Sequence, residues 1–117
     1  MSTRCQIEIT KENGEKVRVY HHCDGYFRGV GAELAAMLQE CKTADDLLQK
    51  TNPSYEVEDA DTVHGDIEFW YSLDFKERKF TGYRLDWPPW TKDGKLNVSE
   101  DPKHDNIVDL LKLGEVR

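Results

Sequence analysis

The sequence contains no apolar run approaching the roughly 18 residues that a membrane-spanning helix needs, and no signal-peptide-like apolar stretch near its start. A water-soluble, cytoplasmic chain without membrane contact is the expectation. Cysteine is scarce: Cys5, Cys23 and Cys41 are odd in number and show no CxxC spacing. This pattern argues against a disulfide framework and for reduced thiols, which commonly serve as small buried hydrophobes. Apolar residues make up only 38% of the chain. Three Trp, five Tyr and four Phe, together with clear periodic segments, nevertheless argue against disorder. Neither an internal repeat nor a low-complexity tract is present, and 117 residues suit a single domain spanning 1–117.

Lysine and arginine are missing altogether from residues 51–75, where Glu56, Glu58, Asp59, Asp61, Asp66, Glu68 and Asp74 fall. The formal net charge of the whole chain is −7, so this segment accounts for all of it and the remainder sums to zero. A field of that sign repels phosphate backbones, which argues against direct nucleic-acid binding. It favours encounter with a basic protein surface, or else serves only to keep a small domain solvated.

Two alternating segments open the chain. Cys5, Ile7 and Ile9 oppose Gln6, Glu8 and Thr10, and Val17, Val19, His21 and Cys23 oppose Arg18, Tyr20 and His22. A three-residue loop, Glu12-Asn13-Gly14, pairs Ile9 with Val17, Ile7 with Val19 and Cys5 with His21. It also sets Glu8 against Arg18. A two-residue Asn-Gly turn would instead mix apolar and charged residues on one face. Val30, Leu34, Met37, Leu38 and Cys41 form one helical stripe. Thr43 then caps a short helix holding Leu47 and Leu48, which ends at Asn52-Pro53.

A short strand is expected around Tyr55 and Val57, followed by alternating strands over 66–73 and 79–87 joined as a hairpin. The first of these puts Ile67, Phe69, Tyr71 and Leu73 on one face and Trp70 on the other. Pro88-Pro89 should take the chain out of the sheet, because each proline lacks a ladder donor. Asp101-Pro102 opens a final helix carrying Ile107, Leu110 and Leu111. The order β-β-α-(α)-β-β-α implies an α+β, two-layer domain: an antiparallel sheet of two hairpins with helices on one face.

Three constellations could carry chemistry. Where the second strand meets the first helix, His22, Asp24, Gly25, Tyr26, Arg28, Gly29 and Gly31 form a glycine-rich corner, whose free amides and positive helix end could hold a phosphate or nucleotide. Within it, His22 with Asp24 could do general acid–base work. The glycine spacing matches neither a dinucleotide fingerprint nor a Walker loop, and glycines also serve tight strand-to-helix connections. On the inward face, Cys5, His21 and Cys23 offer three soft zinc ligands, with His64 or His104 as a fourth; a buried, hydrogen-bonded histidine is the commoner arrangement. Finally, Trp70, Trp87 and Trp90 could join Glu56, Glu58, Asp59 and Asp61 in a partner-binding surface.

Ser2-Thr3-Arg4 before a strand, followed by His22, Asp24, Gly25 and Tyr26 and then Gly29-Val30-Gly31, resembles a family of small uncharacterised phage and prophage proteins. That family has a His-x-Asp-Gly-Tyr-Pro segment, and Phe27 stands here where proline is usual. The resemblance covers about the first 40 residues and implies a genomic setting rather than a mechanism. Combined with the charge and the tryptophans, it leads to the expectation of a non-enzymatic binding protein acting on a host protein, inhibiting a defence or nucleic-acid machine, with no cofactor. A phosphate- or nucleotide-binding domain or small hydrolase, and a zinc-binding domain, are the alternatives.

Overall fold

A computed structural model describes residues 3–50 and 55–100. They form one mixed six-stranded sheet with two short helices on one face. Strands β1 (Cys5–Thr10) and β2 (Lys16–His21) make the opening hairpin in the expected register, with Ile9 opposite Val17, Ile7 opposite Val19, Cys5 opposite His21 and Glu8 opposite Arg18. Gly14 sits at φ +88°, the left-handed position that a three-residue loop requires of its last residue. The Lys11 amide closes the loop on the Glu15 carbonyl at 2.8 Å.

After β2 the chain turns through Asp24, at φ +54°, into a single π-helical turn over Phe27–Gly31 and then helix α1 (Ala32–Glu40). The regular helix therefore starts later than the apolar stripe suggests, although Val30, Leu34 and Cys41 are all buried. Helix α2 (Ala44–Lys50) is capped by Thr43, whose Oγ1 accepts the Asp46 amide at 3.1 Å. The two helices pack Leu34, Ala35, Ala44 and Leu47, together with Val30 of the π-helical turn and Cys41 between the helices, onto the face carrying Cys5, Ile7, Ile9, Val19, Tyr71, Leu73 and Phe80. Ile7 and Ile9 are each 1% exposed, so burial of either contributes about 2–3 kcal/mol.

Strand β3 (Tyr55–Glu58) pairs antiparallel with β2, and the chain then crosses the face away from the helices to reach β4 (Phe69–Asp74) on the far side of β1. There β4 runs parallel to β1, with Cys5 opposite Phe69 and Ile9 opposite Leu73. This corrects the expected sheet of two antiparallel hairpins. The strand order is β3-β2-β1-β4-β5-β6, and β1 has an antiparallel neighbour on one side and a parallel one on the other. Alternation within a strand sets its two faces but not the direction of its neighbour, so both sheets fit the same pattern. Ile67 also departs from expectation. It lies ahead of β4 and is buried with Tyr20, Trp70 and Leu85 on the face away from the helices.

Strand β5 (Lys79–Trp90) continues through Pro88 and Pro89, where an exit from the sheet was expected. Its ladder with β6 (Leu96–Val98) holds at Leu85–Val98 and at Trp90–Leu96, with a shift of register between them. The two prolines occupy that interruption, where ladder donors are not required. The expected final helix after Asp101-Pro102 lies outside the described residues. Among the described residues no helix is long and apolar enough to cross a membrane.

The corner between β2 and α1 is closed by backbone contact. Gly25 donates to the Thr3 carbonyl at 2.9 Å and Val30 to the Asp24 carbonyl at 2.8 Å. A Cβ on Gly29 would overlap the Asp24 carbonyl oxygen. Gly29→Ala should therefore cost about 1–3 kcal/mol by overpacking, read as a lower urea midpoint at unchanged slope. An unchanged midpoint would show that the corner yields freely.

Candidate functional site

The acidic segment's structural role is to cover the face opposite the helices. Gln6, fully buried on that face of β1, donates from Nε2 to the Thr62 carbonyl at 3.0 Å and accepts the His64 amide on Oε1 at 3.3 Å. Arg18 donates to the same Thr62 carbonyl at 2.7 Å and pairs with Glu8 at 3.3 Å. Its guanidinium lies 5.1 Å from the centroid of Trp70 and 5.4 Å from that of Trp90. The Trp90 indole donates to the His64 carbonyl at 3.1 Å. Residues 59–68 are thus tied to the sheet largely through main-chain groups, Glu68 also donating to the Arg4 carbonyl at 2.8 Å and accepting the Leu85 amide at 2.9 Å, which leaves much of their carboxylate side-chain surface to solvent.

The carboxylates divide into two groups. Glu58 pairs with His64 at 2.8 Å and Glu56 with His22 at 2.9 Å. His64 stacks on Tyr20 with ring centroids 3.8 Å apart, and His22 meets the same ring edge-on at 4.6 Å. The Tyr20 hydroxyl donates to Asp66 at 2.7 Å, and Asp66 also faces Arg4 at 3.3 Å. Asp59, Asp61 and Glu68 are exposed. Of the seven residues expected to face a partner, Glu56, Asp59, Asp61 and Trp87 lie at the surface, with Trp87 74% exposed. Trp70, at 4% exposure, is core beneath the crossing segment, which corrects its place in an exposed patch. Trp90 and Glu58 are half-buried and hold that segment down.

The glycine corner separates the residues grouped there by sequence. His22 turns to Glu56 on β3, whereas the Asp24 carboxylate accepts the Tyr26 hydroxyl at 3.1 Å. The amides of Gly29, Val30 and Gly31, which would have faced an anion, donate to the carbonyls of Tyr26 and Asp24. Gly25, Gly29 and Gly31 are buried, and Arg28 is exposed. Gly25 is further fixed because the buried Tyr71 hydroxyl donates to its carbonyl at 2.6 Å.

The three proposed metal ligands do not form a set. Cys5 is fully buried and His21 nearly so, whereas Cys23 is exposed; β2 ends at His21, so Cys23 leaves the inward face. Among the described residues no group of three His, Cys, Asp or Glu side chains is arranged to hold a metal. In native protein a disulfide-exchange reagent should titrate one thiol rapidly, Cys23, and reach Cys5 and Cys41 only after denaturation. Two or three fast thiols would contradict this packing.

Burial pushes the Cys5 thiol and the phenols of Tyr20, Tyr55 and Tyr71 upward, with Asp66 adding to the effect at Tyr20 and Glu33 at Tyr55. Acids raised in the folded state lend stability that is complete below their unfolded values, about 8.5 for a thiol and about 10 for a phenol. That contribution is lost as pH climbs, because only the unfolded chain then ionises. The melting temperature should hold up to about pH 8 and fall steeply between about pH 9 and 11, and Tyr71→Phe should flatten the fall. A flat profile for the native sequence would refute it.

Sequence reasoning missed Gln6, Arg18, Thr62 and His64 as a unit. The usable signal was that Gln6, Arg18, Tyr20 and Trp70 share one face, a polar–aromatic mixture that water alone does not cover well. Comparisons with protein-family models, curated proteins and solved structures found no match for the chain.

Proposed function

We propose that the chain is a non-enzymatic binding protein of phage or mobile-element type that sets an acidic surface, with Trp87 as an aromatic anchor, against a basic surface of a host protein. The observation carrying this reading is the confinement of the whole net charge to residues 51–75. The outward position of Glu56, Asp59, Asp61 and Glu68 in that stretch supports it. Carboxylates held on a backbone tied to a sheet lose little freedom on binding, so their attraction for a basic groove is not spent on ordering them. A basic groove that normally receives nucleic acid would be blocked by the same complementarity.

The test leaves Glu58 alone, since its pair with His64 is half-buried, whereas the Glu56–His22 pair is exposed to solvent. With tagged protein in host extract, Glu56→Gln, Asp59→Asn and Asp61→Asn combined should reduce capture of the partner at least tenfold, with unchanged melting temperature. Trp87→Ala should weaken it separately, and capture by the native sequence should fall with added salt. Equal capture by the triple variant would overturn the reading.

A further inference from the structure

Among the described residues, β3 is the outermost strand on its side of the sheet. The hydrogen-bonding phase of its outer edge follows from the opening hairpin. Lys11 bonds to Glu15, so along β1 and β2 the bonded pairs are Ile9–Val17, Ile7–Val19 and Cys5–His21. Arg18 and Tyr20 are left to bond β3, through Glu58 and Glu56. The main-chain N–H and C=O groups of Tyr55 and Val57 therefore point away from the sheet.

Side chains along this edge are just as ordered. Glu56 and Glu58 stand on the face away from the helices, held by His22 and His64. Val57 stands on the other face, opposite Val19 and 57% exposed. A second copy pairing antiparallel about Val57 would bring Glu56 against Glu58, a like-charge contact that opposes self-association. A strand with Lys or Arg at alternate positions would meet those carboxylates favourably and lay an apolar residue beside Val57.

From this we infer that β3 is a site of strand addition, which takes an extended segment of a partner protein in which basic and apolar residues alternate. This rests on the acidic-surface reading and adds the geometry: main-chain bonds to Tyr55 and Val57, with the exposed Glu56 selecting cations. It also explains how a four-residue edge strand rich in carboxylate can discriminate, since the backbone ladder supplies register and the side chains supply charge.

The probe is a capped heptapeptide of alternating lysine and valine, titrated into isotope-labelled protein. The expected result is that the Tyr55 and Val57 amide signals shift and that their hydrogen exchange slows. The same peptide N-methylated at every internal amide keeps its charge but cannot join a ladder, and should bind at least tenfold more weakly. Val57→Pro removes only an outward amide, so it should weaken the unmethylated peptide at least tenfold while leaving the β2–β3 bonds in place. Equal binding of both peptides would overturn strand addition while leaving the acidic surface standing. Shifts confined to other residues, or no binding of the unmethylated peptide, would also overturn it. Should Val57→Pro fail to fold, the methylated peptide decides alone.

Discussion

The arrangement turns on a buried amide. Gln6 sits in the central strand with no solvent access, and both ends of its side chain are satisfied by the backbone of residues 62 and 64. An unpaired amide there would cost about 1–3 kcal/mol. The crossing segment therefore adds to the stability of the sheet, and the sheet in turn fixes where that segment runs. Arg18 reinforces the same point by donating to the Thr62 carbonyl that Gln6 uses, with its guanidinium near Trp70 and Trp90. A charge taken this far out of water is tolerated because Glu8 and a carbonyl receive its donors.

That constraint links the fold to the acidic surface. The chain must pass from β3, at one edge, over β2 and β1 to β4, and the residues that do so carry most of the uncompensated carboxylate. A cover made of apolar residues would have buried them and left nothing outside. One fixed through its main chain buries little except Ile67 and exposes its acids. His22 and His64 hold two of these carboxylates against the ring of Tyr20, so the acidic edge is a packed structure and not a loose tail.

How far the fold was legible varied by element. The first hairpin could be read down to its register, because pairing Ile7 and Ile9 with anything but valines would have put charge in the core. The Thr43 cap and the short strand at Tyr55 were equally readable from local chemistry. The parallel partnership of β1 and β4 was not, since nothing within either strand encodes the direction of its neighbour. Trp70 was misplaced for the same reason: its face was assigned correctly, but what lies over that face comes from residues far away in sequence. The glycine corner was located correctly, yet the destination of its amides depended on the backbone path of Asp24 and Tyr26.

Composition and alternation alone determined that this is a small α+β chain, which residues line each strand's two faces, and that its net charge is gathered in one stretch. These are local properties, set by side-chain size, polarity and the two-residue repeat of a strand. Only the tertiary structure decided that the charged stretch is a cover over a second core, that Cys23 and His21 part company, and that β3 lies outermost among the described strands. Each of those depends on contacts between residues distant in the chain, whose free energy comes from mutual burial and shared hydrogen bonds that no single segment possesses.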